Sequence, residues 1–327
     1  MARITIVHDV AGVAAEEARL LRAAGHEVTH IRLPQPGANW RWPVKAIAIL
    51  WRLVIYLPAV VRIRLSRPDV LHIHWVLMGV LGVLAGRPFH VSAHGSDLHV
   101  HFRRRVLRVL SRFVLGRAER IFYSTPNLAT YLTGFEAKSV HLPNPVDPVD
   151  FPIRERPAGR AVLLFTRLDP IKGVDVVFAA AERLVAGAEL TGLAWGPLRA
   201  DYLARYGGVV RFVEPVGREQ IPEFLQDFDV VVGQMKQGTL GLAEIEALAA
   251  GLPVVTGLDL ALYAADPPPV TCATDADGIV AAVEWLLADP AGRPAHRLAA
   301  RSWVERNHGS AHHLQILEEA YGLRHAV

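Results

Sequence analysis

The sequence predicts an α/β protein of two domains, each built on a doubly wound parallel sheet. The chain has 327 residues, which is too long for one ordinary core and suits two domains of roughly 150 residues each. Short apolar, β-branched segments alternate with longer amphipathic stretches, as in repeated strand–helix–strand units. Hydrophobic residues make up 51% of the chain and charged residues 20%, a composition that excludes a disordered protein.

The predicted strands fall into two series, one for each domain. The first series comprises residues 4–7, 27–31, 70–74, 89–93, 120–124 and 139–142. The second series comprises residues 161–166, 189–195, 209–213, 229–232 and 253–256. After Asp275 the pattern predicts helices over residues 276–287, 294–307 and 311–321, with Asp275 as a helix cap.

A proline-rich connector over residues 142–159 separates the two series, because its proline density forbids a helix. We therefore predict an N-terminal domain over residues 1–150 and a C-terminal domain over residues 151–305. A final segment, residues 306–327, is expected to pack back on the N-terminal domain as a helix. Ligands of doubly wound sheets bind beyond the carboxyl ends of the strands, so the two domains are expected to face each other across a binding cleft.

The first residues begin a strand at once and lack the features of a signal peptide. Cys272 is the only cysteine, which excludes an internal disulfide and a multi-cysteine metal cluster. The sequence has no uninterrupted apolar run of the about 20 residues that a membrane span needs. We expect a cytoplasmic protein, with the inner face of the cytoplasmic membrane as a candidate location.

Two cations follow the first strand of the C-terminal domain. Arg167 and Lys172 lie in its loop, just before a predicted helix. Fixed cations beside the positive N-terminus of a helix can bind a diphosphate and stabilise it as a leaving group. Two solvated basic residues in a surface loop are the alternative interpretation.

A second strand ends in a glycine-bearing loop over residues 233–241, and a helix is predicted to begin near Leu242. Glu246 follows one turn later, where a carboxylate can accept hydrogen bonds from both hydroxyls of a ribose. Glu244 is expected only to favour the start of this helix electrostatically.

These segments resemble glycosyltransferase family 4. The similar motifs are Arg-Leu-x-x-x-Lys-Gly from Arg167, Gly-Leu-Ala-Glu-Ile-Glu-Ala-Leu-Ala-Ala-Gly-Leu-Pro-Val-Val from Gly241, His-Gly-Ser-Asp from His94 and Leu-Pro-Asn-Pro-Val-Asp from Leu142. Residues 300–308 resemble the family's C-terminal helix. The resemblance spans nearly the whole chain and implies the GT-B fold, retention of anomeric configuration, and no need for a metal ion or cofactor.

The resemblance also implies roles for particular residues. Arg167 and Lys172 would bind the diphosphate of a nucleotide-sugar donor, and Glu246 the ribose hydroxyls. The catalytic residues would be His94, Arg167 and Lys172, with His94 contacting the donor sugar or its phosphate. Backbone amides around Leu240, Gly241 and Leu242 would contact the sugar and phosphate, whereas Gly12 and His94 would lie on the acceptor side. The departing phosphate oxygen would take the acceptor proton, so no protein base is required.

The sequence departs from the family at three positions. The family has a glutamate eight residues before the position of Glu246, and Gly238 stands there. We predict that the amide of Gln234 or Gln237 contacts the transferred sugar instead, because an amide can donate to and accept from hydroxyls. Thr166 replaces the usual glycine before the arginine, and the glycine-rich first loop is reduced to Gly12.

The N-terminal half is strongly basic. Residues 28–118 carry a net charge of +12, so the remainder of the chain carries −9. A stretch with interleaved cations and aromatic residues suggests contact with an anionic membrane; it contains Trp40, Arg41, Trp42, Lys45, Trp51, Arg52, Tyr56, Arg62, Arg64 and Arg67. The alternative is an ordinary buried helix with solvated arginines. We expect no nucleic-acid partner, because no recognised binding module accompanies the charge.

Six histidines lie within residues 72–101 of the N-terminal domain: His72, His74, His90, His94, His99 and His101. We expect no metal site there, because His72 and His74 are assigned to opposite faces of their strand.

The leading hypothesis is a retaining glycosyltransferase that uses a UDP- or GDP-linked sugar, with a lipid-linked glycan, a glycolipid or a small metabolite as acceptor. A nucleotide-sugar epimerase and a degenerate nucleotide-sugar-binding or membrane-docking protein are the alternatives.

Overall fold

The computed structural model describes residues 1–34, 51–52, 54–154 and 157–323, and these residues form two compact units. Unit 1 comprises Met1–Pro145 together with the chain from His313 onward, and unit 2 comprises Val146–His312. Each unit contains one six-stranded sheet in which all paired strands are parallel. The predicted α/β class with two doubly wound sheets is confirmed.

In unit 1 the strand order is β2-β1-β3-β4-β5-β6. The strands are β1 (Arg3–Val7), β2 (Glu27–Ile31), β3 (Val70–His74), β4 (His90–Ala93), β5 (Ile121–Tyr123) and β6 (Ser139–His141). The helices are α1 (Val13–Ala23), α2 (Leu57–Ser66), α3 (Val80–Ala85), α4 (Ser96–His101) and α5 (Arg105–Arg117).

In unit 2 the strand order is β12-β11-β10-β7-β8-β9. The strands are β7 (Ala161–Leu164), β8 (Glu189–Leu193), β9 (Arg211–Val213), β10 (Val230–Val232), β11 (Val254–Thr256) and β12 (Thr271–Cys272). The helices are α6 (Val174–Leu184), α7 (Arg199–Tyr206), α8 (Ile221–Leu225), α9 (Leu242–Ala249), α10 (Ala276–Ala288) and α11 (Arg293–His308). The sequence pattern did not predict β12, because two residues are too few to show a period.

Both sheets are covered on both faces, as their apolar strands require. In β7, Val162 and Leu164 belong to one buried cluster, whereas Leu163 belongs to another. In β1, Ile4 and Ile6 pack in one cluster and Val7 in a second. Alternate side chains of a strand point to opposite faces, so each sheet separates two cores.

The last helix, α12 (Ser310–Tyr321), brings buried groups to unit 1. Leu317 is fully buried in the cluster that contains Ile4 and Ile6. The His313 ring nitrogen Nδ1 lies 2.7 Å from the carbonyl oxygen of Pro143. From His313 onward, the chain therefore forms part of the compact unit built by the N-terminal sheet.

Two local predictions have clear outcomes. Asp275 caps α10, because its Oδ1 accepts a hydrogen bond from the Gly278 N–H at 2.8 Å. In the described part of the connector, residues 142–154 and 157–159, the one helical element is a short 3₁₀ turn at Pro148–Asp150. The Arg301 guanidinium donates to the carbonyls of Pro148 and Phe151. None of the described helices combines the length and the apolar character that crossing a bilayer requires.

Candidate active site

Arg167 lies in the loop after β7, which is flanked by β10 and β8 in the sheet of unit 2. The carboxyl ends of these parallel strands meet at one edge, so their loops are neighbours. The Arg167 guanidinium lies over the ring of Trp195, 5.5 Å from the ring centroid, and its Nε is 3.8 Å from Asp169 Oδ2. Its side chain is 46% exposed, which leaves this cation accessible to an anionic ligand.

Lys172 joins the loop after β7 to the loop after β10. Its Nζ donates to Gln234 Oε1 at 2.6 Å, and its carbonyl accepts from the Met235 N–H at 2.8 Å. Burial lowers the pKa of Lys172, although Glu244 and Asp169 nearby favour the charged form. Gly173 permits this close approach, because its φ is +74° and an added Cβ would lie 2.9 Å from Met235 Cβ.

Gln234 is hydrogen-bonded on several sides, by its own loop and by neighbouring elements. Its side chain donates from Nε2 to the Thr239 carbonyl at 2.6 Å and accepts from Lys172, and the residue is only 2% exposed. Its backbone carbonyl accepts from Thr256 Oγ1 at 2.8 Å. Gln234 was predicted as a candidate sugar contact, and the structure places its amide inside the loop, holding Lys172.

Glu244 ties the start of this loop to its end. Its Oε1 accepts from the Gln234 N–H at 2.7 Å and its Oε2 from the Gly241 N–H at 2.8 Å. An added Cβ at Gly233 would lie 2.3 Å from Glu244 Oε1, so the loop also needs glycine there. The expectation that Glu244 only favours the helix start was incomplete. A signal was present, because Glu244 is three residues after Gly241, the spacing of a capping box.

Glu246 is buried without a hydrogen-bonding partner for its carboxylate among the described residues. It lies in α9, which begins at Leu242 as predicted, and it is 5% exposed. Burial raises the pKa of Glu246 to about 7, and the positive charge of Arg218 offsets part of this effect. An unsatisfied buried carboxylate is costly, which is typical of a group reserved for a ligand.

The predicted amide contacts are only partly available. The Leu240 N–H donates to Tyr263 Oη at 3.0 Å, and the Gly241 N–H is bound by Glu244. Burial raises the pKa of Tyr263 to about 12, so its hydroxyl is neutral. Of the three predicted amides, that of Leu242 has no partner in the described part of the chain. As the first residue of α9, Leu242 presents this N–H at the positive end of the helix.

Gly238 stands where the family that the sequence resembles has a glutamate, and its backbone conformation explains the glycine. Its φ is +66°, a backbone conformation that favours glycine over glutamate, and its carbonyl accepts from the Asp259 N–H at 3.0 Å. Gln237 is half-buried, and no described residue hydrogen-bonds its amide. Thr166 is buried, and its hydroxyl has no partner among the described residues. Of the two predicted amides, only that of Gln237 is thus unengaged.

In unit 1, His94 follows β4 and its loop is held by Asp97. The buried Asp97 carboxylate accepts hydrogen bonds from the N–H groups of Val76, His94 and Leu98, at 2.9, 3.1 and 2.9 Å. Burial raises the pKa of Asp97 to about 6, although these hydrogen bonds favour the ionised form. Asp97 thereby links the loops after β3 and β4 and fixes the backbone of His94.

The assignment of His72 and His74 to opposite faces was wrong. Residues two apart in a strand point to the same face, and the two ring centroids lie 4.5 Å apart. Both rings contact the buried carboxylate of Glu17 on α1, with His72 Nδ1 at 3.4 Å and His74 Nε2 at 3.0 Å from Glu17 Oε2. The three groups are close enough for a shared ion, so the geometry of the strand does not exclude a metal site.

Gly12 lies in the loop after β1, where three residues adopt positive φ. His8, Ala11 and Gly12 have φ values of +70°, +52° and +76°. Asp9 Oδ1 accepts from the Ala14 N–H at 3.2 Å and so holds the loop against α1. Strained backbone of this kind is concentrated at functional sites, and this loop follows a strand next to β3.

An apolar surface flanked by arginines lies on α5. In the sequence, this segment was considered only for its contribution to the basic charge of residues 28–118. Val106, Val109, Leu110 and Phe113 are between 38% and 77% exposed. Their spacing places them on one stripe of the helix. Six arginines on and around α5 are exposed: Arg103, Arg104, Arg105, Arg108, Arg112 and Arg117.

The aromatic segment predicted to contact a membrane is only partly described. Trp40, Arg41, Trp42 and Lys45 lie outside the described residues. Trp51 is 57% exposed, whereas Tyr56 is buried and its hydroxyl donates to the Pro34 carbonyl at 2.9 Å. Tyr56 is thus a core residue.

Replacing Glu246 by glutamine should change how stability depends on pH. The pKa of Glu246 is about 7 in the folded protein against an ordinary value of 4.5, so burial of the charge destabilises the protein increasingly between these pH values. The free energy of unfolding of the wild type should fall as Glu246 ionises, whereas that of Glu246→Gln should not. The difference between the two proteins should therefore grow by about 3 kcal/mol in favour of the variant between pH 4.5 and pH 8. Urea unfolding across this range measures the difference. Glu284→Gln, at an exposed site on α10, is the control, and equal pH dependence for the two variants would contradict the prediction.

Comparisons with known proteins agree with this architecture. Residues 10–145 match the model of a glycosyl transferase 4-like domain, and residues 159–289 match that of glycosyl transferases group 1. D-inositol 3-phosphate glycosyltransferase 2 of Catenulispora acidiphila is 30% identical over 71% of this chain and 64% of its own length. The chain thus spans less than two thirds of that relative. The 2-deoxystreptamine glucosyltransferase of Streptomyces kanamyceticus is 27% identical over 84% of this chain and 80% of its own length.

Solved structures share the fold at low sequence identity. Sucrose-phosphate synthase from Thermosynechococcus elongatus superposes with a TM-score of 0.76 at 17% identity, covering 98% of each chain. Anabaena HepE in complex with UDP-glucose superposes with a TM-score of 0.74 at 13% identity, covering 99% of this chain and 100% of that one. From the two matching domain models and this fold, the chain belongs to the family 4 type of glycosyltransferases with the GT-B fold.

Proposed function

We propose that this protein is a retaining glycosyltransferase that moves a sugar from a nucleotide diphosphate sugar to a hydroxyl acceptor without a metal ion. One observation carries the proposal. Two cations and a buried carboxylate that no described residue hydrogen-bonds lie on the loop and helix that follow two paired strands, β7 and β10. The matches to transferase models favour sugar transfer over epimerisation.

Arg167 and Lys172 supply the charge that a departing diphosphate needs. Arg167 is exposed and contacts the Trp195 ring and the Asp169 carboxylate, and Lys172 donates a hydrogen bond to Gln234. Fixed cations lower the energy of the developing negative charge without having to reorganise during the reaction. The N–H at the start of α9, for which the described residues supply no acceptor, adds a donor at the same edge of the sheet. These groups would perform the role that Mg²⁺ has in metal-dependent transferases.

Glu246 would bind the ribose. Two adjacent ribose hydroxyls can each donate a hydrogen bond to one carboxylate, which would satisfy a group that the described residues leave unbonded. Bound hydroxyls favour the ionised form of a carboxyl group and so oppose the effect of burial on its pKa. The cost of burying Glu246 is thereby offset when the donor binds.

UDP-glucose is the first donor to test, because HepE was solved in complex with it. Retention would follow from attack on the same face that the phosphate leaves, with the phosphate oxygen taking the acceptor proton. The anomeric configuration of the first product, followed by ¹H NMR, tests retention directly.

Arg167→Ala should strongly reduce donor turnover without unfolding the protein. We expect wild-type protein to be stabilised by one member of a panel of UDP-, GDP- and dTDP-sugars and to hydrolyse it slowly in the presence of EDTA. Loss of the exposed guanidinium should lower kcat/KM at least about 100-fold, as expected for a lost charge-assisted contact to the leaving group. Thermal shift and nucleotide release measure the two effects.

Arg183→Ala is the matched control, because Arg183 is also an exposed arginine of unit 2 and pairs with Asp277. Its hydrolysis rate should equal that of the wild type. If no nucleotide sugar stabilises the wild-type protein, or if EDTA stops hydrolysis, the proposal as stated is wrong.

Gln237→Ala and Gln234→Ala should have different effects. No described residue hydrogen-bonds the Gln237 amide, which should contact the transferred sugar, so its loss should weaken binding of the intact donor about tenfold while affinity for UDP stays constant. Gln234 supports Lys172 and Thr239, so its loss should lower thermal stability and weaken UDP binding as well. Calorimetric titration with UDP and UDP-glucose separates the two. Equal behaviour of the variants would refute this division of roles.

We further propose that the acceptor is lipid-linked and that α5 docks on an anionic membrane. An exposed apolar stripe beside clustered arginines combines the two attractions that hold interfacial helices at such surfaces. A small cyclitol is the alternative acceptor, favoured by the name of the D-inositol 3-phosphate glycosyltransferase relative.

Val109→Asp/Phe113→Asp should weaken binding to vesicles of phosphatidylglycerol and phosphatidylcholine at least about tenfold, because two exposed apolar groups become anionic. Binding of the wild type should also fall as salt rises. Leu298→Asp, at a site 71% exposed on α11, is the control and should bind like the wild type. Failure of the wild-type protein to sediment with anionic vesicles would exclude membrane docking.

A further inference from the structure

The loop after β11 lies against the loop after β10 in unit 2. The Gly257 N–H donates to the Gln234 carbonyl at 2.9 Å, and the Asp259 N–H donates to the Gly238 carbonyl at 3.0 Å. The strands β10 and β11 are paired in parallel, so both loops follow carboxyl ends at the same edge of the sheet. Backbone hydrogen bonds thereby hold Asp259 beside the loop that carries Gln237, the predicted sugar contact.

A short 3₁₀ turn, Leu260–Tyr263, fixes the position of Asp259 further. Asp259 Oδ1 accepts a hydrogen bond from the Ala261 N–H at 3.0 Å and so caps this turn. At the far end of the turn, the Tyr263 hydroxyl accepts from the Leu240 N–H at 3.0 Å. The backbone of Asp259 is therefore anchored on both sides, although the residue is exposed.

The second carboxylate oxygen of Asp259 is available to a ligand. Capping uses Oδ1, and within residues 1–34, 51–52, 54–154 and 157–323 no group hydrogen-bonds Oδ2 or forms an ion pair with this carboxylate. Lys236 lies in the neighbouring loop, but its Nζ is paired with Asp175, 2.7 Å from each carboxylate oxygen. Because a carboxylate oxygen only accepts, Asp259 Oδ2 can take a hydrogen bond from a hydroxyl group.

The space beside Gly238 is bordered by Asp259. A side chain at position 238 would begin 3.4 Å from Asp259 Cβ. Apart from the two chain neighbours of Gly238, no other described residue has an atom within 4 Å of that point. Gly238 supplies no side chain of its own, so the Asp259 side chain is the one that flanks this opening in the described structure.

The charge of Asp259 limits which part of a donor it can contact. A carboxylate repels the diphosphate, which the proposed function assigns to Arg167 and Lys172. The ribose hydroxyls are assigned there to Glu246. The transferred sugar is the remaining part of the donor that carries several hydroxyl groups. A carboxylate also discriminates between sugars, because it accepts hydrogen bonds from a neutral sugar and repels a sugar acid.

We propose that Asp259 is a specificity-determining residue whose Oδ2 accepts a hydrogen bond from a hydroxyl of a neutral transferred sugar. The inference rests on the proposed function and deepens it, because it names the class of sugar. Gln237 is next to Gly238 in the chain, so an amide and a carboxylate from two neighbouring loops contact the same sugar. Oδ1 of Asp259 continues to cap its turn.

Asp259→Asn removes the charge and keeps the cap, because the asparagine oxygen can still accept from the Ala261 N–H. Calorimetric titration of the full-length protein, with EDTA present, should show about tenfold weaker binding of UDP-glucose. Binding of UDP should be unchanged, because UDP lacks the transferred sugar. Unchanged binding of UDP-glucose, or equal weakening of UDP, would overturn the proposal.

Asp289→Asn is the matched control. Asp289 is also an exposed aspartate of unit 2, and its side chain also caps a 3₁₀ turn, at Pro290–Gly292. It precedes α11 and lies outside the loops after β7, β10 and β11. This variant should bind UDP and UDP-glucose like the wild type. A tenfold loss of UDP-glucose binding in the control as well would show that the effect of Asp259→Asn is not specific, which would contradict the proposal.

UDP-glucuronate tests the class of sugar, because it has a carboxylate where UDP-glucose has a hydroxymethyl group. The wild type should bind UDP-glucose at least about tenfold more tightly than UDP-glucuronate. Asp259→Asn should reduce this preference, since it weakens the contact to the neutral sugar and removes the repulsion of the acidic one. A wild-type preference for UDP-glucuronate, or an unchanged preference in Asp259→Asn, would refute the assignment.

The two proposals fail in different ways. If no member of the panel of nucleotide sugars binds the wild type, the proposed function fails and the role of Asp259 fails with it. If UDP-glucose binds the wild type and Asp259→Asn equally well, only the role of Asp259 fails. If another member of the panel binds instead, the same comparison is made between that donor and its nucleoside diphosphate, and equal binding by the two proteins again refutes the role of Asp259.

Discussion

The carboxylate of Glu244 is the interaction on which the candidate donor site in unit 2 depends. It accepts backbone hydrogen bonds from Gln234 at the start of the loop after β10 and from Gly241 at its end. With both ends fixed by one buried group, the loop presents the Gln234 amide to Lys172 and leaves the first turn of α9 open. Hydrogen bonds to a charged acceptor are among the stronger ones in proteins, which explains how a glycine-bearing loop keeps one conformation.

Glu244 and Glu246 show how two glutamates in one helix turn are used in opposite ways. Glu244 is buried and fully engaged, so it contributes to the stability of the loop. Glu246 is buried and unbonded by the described residues, and burial raises its pKa to about 7. Glu244 fixes the backbone of the loop, whereas the Glu246 carboxylate can still accept hydrogen bonds from a ligand. A stable loop supporting an energetically costly group is a common arrangement at binding sites.

Unit 1 also contains buried carboxylates that hold neighbouring elements, but their partners differ from those of Glu244. Asp97 binds three backbone N–H groups and fixes the loops after β3 and β4. Glu17 instead binds histidine side chains, and through His74 it reaches the ring of His94. Backbone partners fix where the main chain of His94 lies, and His74 lies against its ring. The backbone and the ring of one histidine are therefore contacted through separate carboxylates.

The sequence by itself determined the two parallel sheets, because continuous apolar segments separated by amphipathic ones can be buried only in such a fold. It also predicted Arg167, Lys172 and Glu246 as donor-site residues, because they follow strands within recognisable motifs, and it predicted the start of α9 at Leu242, which is confirmed. Only the tertiary structure decided that Gln234 supports Lys172 while no described residue hydrogen-bonds the Gln237 amide, that Gly238 has a left-handed backbone, and that Glu17 meets His72, His74 and His313. These contacts join residues far apart in the chain, up to 296 positions between Glu17 and His313, and no local period or spacing encodes them. Local patterns specify elements and their ends, whereas the packing of those elements chooses the partners of each buried charge.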